Sequence, residues 1–320
     1  MKSPRLAKPS GPPRPVKQNA AAIKVALHRN NAPGAPLLPT APYAVRTVPP
    51  APPGAIRIAT WNINSVRLRW RLLKKLAATA APDIICLQET KTPDEHFPAK
   101  RLAALGYEHQ AVCGMKGYNG VAILSRRPLH ASMPREWCGR TDCRHILAAF
   151  DIAGQRVELH NVYVPAGGDI PDPKVNPKFD HKLQFLREQV AWWDAQPQSG
   201  TRILVGDLNV APYQTDVWSH KQLLKIVSHT PVETELLGRL LSAHDWTDAA
   251  RHLVPEPTHM YTWWSYRNRD WKASDRGRRL DHVWVTRELK PLLAGVHILK
   301  GARDWRQPSD HVPVIVDIKP

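Results

Sequence analysis

The apolar residues of this chain come in short runs, and most of the runs end on a carboxylate, an amide or a phenol. "IRIATWNIN" (56–64) closes on Asn62 and Asn64, and "DIICLQETK" (83–91) closes on Glu89. "QRVELHNVYVP" (155–165) reaches Tyr163, and "TRILVGDLN" (201–209) ends in Asp207 and Asn209. "RLDHVWVT" (279–286) carries Asp281 in its run, and Asp310 and His311 lead into "HVPVIVDI" (311–318). Together with "GVAILSR" (120–126) and "HILAAFDI" (145–152), these runs read as buried strands. Between them, "SVRLRWRLLKKLAATAAP" (65–82) and "KFDHKLQFLREQVAWWDAQ" (178–196) have helical apolar spacing, the first stopped by Pro82. Shorter helices are expected near 219–227 and 233–242. Many strands with a few long helices predict sheets covered by helices, an α/β or α+β sandwich.

An acid or amide beside a turn is ordinary when met singly, because its side chain hydrogen-bonds local backbone. A whole set of them at the ends of buried runs has a further consequence. If those ends converge, they build a site rich in carboxylate and poor in lysine. Hard oxygen ligands suit Mg²⁺ or Mn²⁺ far better than zinc. A cation held by few carboxylates leaves room for a phosphate oxygen, and the remaining acids can activate water or orient the histidine. This is the equipment for metal-assisted phosphodiester hydrolysis. The chain has no phosphate-loop pattern, nucleophile elbow or dinucleotide fingerprint.

Charge points the same way. The 45 Lys and Arg exceed the 28 Asp and Glu, for a formal net charge of +17. An excess of that size predicts a polyanionic partner, nucleic acid before a membrane surface. The only weakly apolar stretch near the start, 20–27, is broken by Lys24, so no secretory signal or membrane span is expected. Four cysteines are too few for a disulfide framework. "CGRTDCRH" (138–145) has a spacing that raises zinc, but lacks a second ligand pair.

Residues 1–54 differ from the rest. They hold 13 of the 31 prolines and eight Lys or Arg, with no acid. Such a segment buries too little apolar surface to offset its ordering entropy, so a disordered basic extension is expected over 1–54 and a catalytic domain over 55–320. The extension reads as inert or as a tether to DNA, with a transit peptide as a third reading that its shortage of serine weakens.

The ordered blocks "TWNINSVR", "LQETK", "NVYVPAGG", "GDLNVAP", "YTWWSYR", "RRLDHVWV" and "SDHVPV" resemble the exonuclease III family of abasic-site endonucleases, within the endonuclease/exonuclease/phosphatase superfamily. The resemblance covers about residues 56–320. It implies a four-layer α/β sandwich, two mixed sheets packed face to face with helices outside. It implies a Mg²⁺-dependent nuclease, with Mn²⁺ able to substitute, that incises 5′ to abasic sites and removes nucleotides from 3′ ends of duplex DNA. A cytoplasmic monomer is implied as well. By position in the blocks, Glu89 would be the main metal carboxylate, with Asn62 and Asp310 near the ion and Asp207, Asn209 and His311 around it. Asp207 would activate the attacking water and Asn209 would orient it. Tyr163 would bind the scissile phosphate, and His311 would donate to a phosphate oxygen, held and charged by Asp281. Asn64, Trp263, Trp264 and Arg278 would face DNA. Two departures stand out: Ala166 replaces an amide common in the family, and Arg278 replaces an apolar residue of the abasic-sugar pocket. Two other readings, a sibling phosphodiesterase for inositol phosphates or sphingomyelin and a DNA-binding protein with a decayed site, share parts of this pattern.

Overall fold

Along one strand, Ile203 and Val205 face one way and Leu204 the other, and the two sides meet different cores. That alternation defines the architecture of the chain. The computed structural model describes residues 43–320. In chain order its strands are β1 (Ile56–Asn62), β2 (Ile84–Gln88), β3 (His109–Cys113), β4 (Val121–Ser125), β5 (Ala131–Pro134), β6 (His145–Ile152) and β7 (Gln155–Tyr163). There follow β8 (Arg202–Asp207), β9 (Thr247–Asp248), β10 (Trp263–Trp264), β11 (Gly277–Arg278), β12 (Asp281–Val285), β13 (Leu293–Ile298) and β14 (Val314–Ile318). The three longest helices are α1 (Val66–Thr79), α2 (Pro177–Asp194) and α3 (Pro231–Ala243).

Two six-stranded sheets result, ordered β13-β14-β1-β2-β4-β3 and β5-β6-β7-β8-β12-β9, with a small β10-β11 ribbon beside them. Both large sheets are mixed: β1–β2 and β7–β8 are parallel, the other pairs antiparallel. They pack face to face, with β1 and β2 against β7, β8 and β12. A parallel pair needs a crossover, and α1 and α2 are those crossovers, forced to the outer faces because the inner ones are taken. Leu204 and Trp284 therefore lie under α2 and α3 with Phe185, Leu186 and Leu237, while Ile203 and Val205 fill the space between the sheets. The expected sandwich is the observed one.

A buried polar link fixes how the sheets sit on one another. Asn161 on β7 donates to the carbonyls of Leu87 and Ala122 (both 2.9 Å) and accepts from Gln88 Nε2 at 2.7 Å. Every one of these groups is out of contact with water, so a sliding of the sheets would strand them unpaired.

The fold starts earlier than composition predicts. Residues 1–42 of the expected extension lie outside the described residues. In the rest, Val45 donates to Ile298 O, Val48 is buried, and Arg57 reaches the Pro49 carbonyl at 2.9 Å. Prolines between 49 and 53 predicted a free segment, but the chain just before them bridges β13 at Ala44 and Ile298, and the Pro52 carbonyl takes the Ala55 N–H. Strands β3, β5 and β13 were not anticipated either; all three are edge strands, β5 exposed throughout and β3 and β13 only partly buried, which leaves a weak apolar signal. No helix among the described residues is long and apolar enough to cross a membrane.

Candidate active site

Register alone brings three of the marked side chains into a row. Asp207 at the end of β8 pairs with Tyr163 of β7 on one side and Asp281 of β12 on the other. In the facing sheet, β1 ends at Asn62 beside Gln88 of β2, with Glu89 next. The carboxyl ends of both parallel pairs point to one edge of the sandwich, where open α/β sheets bind their ligands. The chain approaches β8 closely there. Gly206 has φ +140°, and a Cβ on it would lie 1.9 Å from the Val162 carbonyl oxygen, so only glycine allows Asp207 its place.

The two sheets meet through side chains at this edge. Asn62 Nδ2 donates to Glu89 Oε1 and to Asp207 Oδ2, both at 2.9 Å. Tyr163 Oη donates to Glu89 Oε1 at 2.8 Å. Asn209, at φ +53°, places its backbone N–H on Asp207 Oδ1 at 3.0 Å and its Nδ2 on the Val164 carbonyl. Asp310 accepts from Asn64 Nδ2 (3.2 Å) and Trp263 Nε1 (3.0 Å).

Asp207 and Asp281 are like charges on adjacent strands, an arrangement that costs stability unless a cation intervenes. His311 is that group. Its Nδ1 is 2.9 Å from Asp281 Oδ2 and its Nε2 is 3.6 Å from Asp207 Oδ2. Thr262 Oγ donates to the same Asp281 oxygen at 2.6 Å, and the backbone N–H groups of Leu280 and Asp281 donate to Thr262 Oγ.

Protonation follows from these partners. Burial would lower the His311 pKa, but the charges of Asp281 and Asp207 outweigh it and raise it to about 10. Burial raises Asp207 to about 7, with His311 opposing and Asp281 and Glu89 adding to the rise. Burial also disfavours ionised Glu89, yet Lys91 and the hydrogen bonds from Asn62, Lys91 and Tyr163 hold its pKa below the usual value. The Tyr163 phenol is raised well above its usual value by burial and by Glu89, so it is a donor. At neutral pH the edge therefore offers one imidazolium, one phenol and the Glu89 carboxylate, with Asp207 close to its midpoint.

Ligand atoms of Asp207, Asp281 and His311 lie within 4.8 Å of one another. Both His311 nitrogens already face carboxylates, which assigns the imidazole to charge pairing. The hard-oxygen side of the cluster is Glu89, Asn62, Asp207 and Asp310. The Glu89 side of that set already meets a positive charge: the Lys91 ammonium sits 2.7 Å from Glu89 Oε2, and equally from Asn64 Oδ1 beside it. The donor set fits a hard divalent cation.

The edge opens into a cleft of about 1010 Å³, lined by Glu89, Asp207, Trp218, Trp263, Arg276 and Arg278 among others. Trp263 is half-buried on this wall. Trp264, expected to face DNA beside it, is 1 % exposed and donates from Nε1 to Asp275. Neighbours on β10 point to opposite faces, so only one of the pair reaches the cleft. The same rule separates Arg278 from Arg279. Arg278 lies over the Trp263 ring at 5.2 Å and donates to Val227 O and Ser228 Oγ, whereas Arg279 is buried between Asp216 and Asp248. Ala166 lines the cleft. The "CGRTDCRH" spacing does not gather a metal group among the described residues; His145 is buried against Trp137 and His160. Sequence reasoning had passed over Lys91, Thr262 and Trp218. Lys91 stood inside the "LQETK" block and Thr262 inside "YTWWSYR", and no pattern marked Trp218.

A family model described as the endonuclease/exonuclease/phosphatase family matches residues 59–311. Exodeoxyribonuclease III from Haemophilus influenzae is 28% identical over 276 residues, covering 82% of this chain and 100% of that protein. Among solved structures, an AP endonuclease from Archaeoglobus fulgidus superposes with a TM-score of 0.75 at 29% identity, over 83% of this chain and 100% of that one. The 3′ phosphatase NExo from Neisseria, bound to a product DNA hairpin, gives 0.74 at 31% identity, over 82% and 99%.

Proposed function

The chain belongs to the endonuclease/exonuclease/phosphatase family, and from that premise we propose that it is a DNA-repair nuclease using Mg²⁺, or Mn²⁺ in its place. Its substrates are the phosphodiesters of duplex DNA, cut 5′ to abasic sites and at 3′ ends. The observation that carries this reading is the meeting of Asn62 and Glu89 with Tyr163, Asp207 and the Asp281–His311 pair across two sheets.

The side chains divide the work by protonation state. Asp207, ionised, takes a proton from the attacking water, and the Asn209 N–H on its other oxygen fixes the carboxylate plane. His311, charged by its two carboxylates, and Tyr163, kept as a phenol, donate to the phosphate oxygens as negative charge builds there. Water oxygen joins phosphorus, one P–O ester bond breaks, and the departing oxygen ends protonated. Glu89 would hold the divalent cation with Asn62 and Asp310 nearby, and the cation supplies Lewis-acid polarisation of the phosphate. The basic surplus of the chain supplies affinity for the DNA backbone.

The deciding experiment is incision of a duplex carrying a tetrahydrofuran abasic analogue, with Mg²⁺ and with EDTA. Metal-dependent cutting at the analogue is expected. An intact strand in Mg²⁺ with equal amounts of an undamaged 3′ end also untouched rules the reading out.

Arg278 bears on which substrate wins. A guanidinium laid over Trp263 makes that wall polar and cationic, which favours a phosphate over a bare sugar ring. Arg278→Leu should raise the ratio of abasic incision to 3′-phosphate removal by about 10-fold, the scale of one pocket contact. Rates on the two oligonucleotides, measured side by side, give the ratio; no change would clear Arg278 of any part in the choice.

The first 42 residues carry seven of the eight basic groups expected in the extension. As a DNA tether they would release condensed counterions, each phosphate neutralised adding about 0.9 to the slope of log K against log salt. Deleting residues 2–42 should leave kcat on saturating abasic duplex unchanged and flatten that slope by several units on undamaged DNA. Fluorescence anisotropy at four salt concentrations reads it, and equal slopes would leave the segment without a binding role.

A further inference from the structure

Beneath the strand end that carries Asp207 sits a lysine with no exposed surface. Lys182, on α2, and Glu233, in the first turn of α3, are both fully buried, with Nζ and Oε1 at 2.5 Å. Lys182 Nζ also donates to the Asn209 carbonyl at 2.7 Å and lies 3.4 Å from the Ala166 carbonyl. Glu233 in turn accepts from the backbone N–H of Ser228 (2.9 Å) and Thr230 (3.1 Å) and from the Thr230 hydroxyl (2.6 Å). Space is kept for the ammonium stem: a Cβ on Gly167 would lie 2.9 Å from Lys182 Cδ.

A buried ion pair is an inefficient source of stability, since taking both charges out of water costs about what their attraction returns. Apolar side chains would pack this space as well. They could not donate a hydrogen bond to a turn. Asn209 stands in the left-handed region, its N–H on Asp207 and its side chain on Val164, and its carbonyl takes the Lys182 ammonium. Asn209, whose N–H orients the Asp207 carboxylate, is therefore pinned from below through the peptide that follows it. Through Glu233 the same pair holds Ser228, whose carbonyl takes the Ala211 N–H and whose hydroxyl takes Arg278. One buried pair thus ties the Asp207–Asn209 turn to the cleft wall.

We propose that Lys182 and Glu233 are positioning residues for phosphodiester hydrolysis, holding the Asp207–Asn209 turn against the cleft wall without touching substrate. The inference rests on the nuclease reading above, and a wild-type protein that cuts no DNA would overturn both, whereas a failure confined to the variants below overturns this one alone. The test uses two variants of the full chain, Lys182→Met and Lys182→Met/Glu233→Gln. The single variant buries an unpaired carboxylate and should lose roughly 10 °C of Tm. The double variant carries no buried charge, keeps an acceptor for Ser228, and should regain most of that loss.

Kinetics are then measured well below both transitions. Because a misplacement of about 1 Å can cost roughly 10²-fold, kcat of the double variant is expected to fall at least about 10-fold while KM for abasic duplex stays within about twofold. Activity returning to the wild-type level along with Tm would make the pair purely structural and overturn the proposal. A rise in KM with kcat intact would overturn it too, by moving the role to binding.

Discussion

Asp207→Asn is expected to lower kcat by at least about 10²-fold, with affinity for DNA nearly unchanged. The substitution keeps the shape and removes the base. It also disturbs its neighbours in a defined way. Both Asp207 oxygens accept, one from Asn62 Nδ2 and one from the Asn209 N–H, and an amide can satisfy only one of these donors. His311 faces Asp207 as well, so the imidazole loses one of its two negative neighbours and should ionise less readily. The pH profile gives an independent check. An Asp207 pKa of about 7 means that the carboxylate is protonated below that value, so the wild-type rate should fall as pH drops through it. A bound cation favours the carboxylate and moves that limb to lower pH. The residual rate of the variant should show no such limb. Single-turnover incision from pH 5 to 8 measures both features, and near-wild-type turnover removes Asp207 from the mechanism.

Glu89→Gln is the second large effect. A neutral amide is a poorer hard ligand than a carboxylate, so the loss should be greatest at low Mg²⁺ and partly recovered at high Mg²⁺. Glu89 is also the acceptor for Asn62 and Tyr163 on one oxygen and the partner of Lys91 on the other. Gln retains the first oxygen and abandons the lysine. A rate measured across a Mg²⁺ titration separates the two contributions. Equal loss at every Mg²⁺ concentration would mean that Glu89 acts by holding Asn62, Tyr163 and Lys91 in place instead of through the ion.

The strand ends were legible because each carried two signals at once, a buried apolar run and a polar residue at its stop. Asn62, Glu89, Tyr163 and Asp207 had that signature, Asp281 instead opened its run, and strand register does the rest of the assembly. Trp263 and Trp264 carried the same signature as each other, and only the orientation of a two-residue strand distinguishes the cleft wall from the core. Arg278 and Arg279 pose the same problem. Lys182 was invisible for a different reason. A lysine on an amphipathic helix reads as a solvated residue, and its buried carboxylate lies 51 positions away. The start of the fold was misread by composition, since proline density says nothing of a backbone that pairs with a distant strand.

The edge where the two sheets meet has a consequence for how the molecule loosens. The groups proposed to cut the phosphate stand on, or within a few residues of, strands inside the sheets, so exposing them requires the cooperative opening of a sheet, at a cost near that of global unfolding. The wall carrying Trp218, Trp263, Arg276 and Arg278 rides on a short ribbon and connecting segments, which open at a fraction of that cost. Mild denaturant or warming would then blur the recognition of damage while cleavage persists. A partly loosened molecule would be a less discriminating one before it was an inactive one.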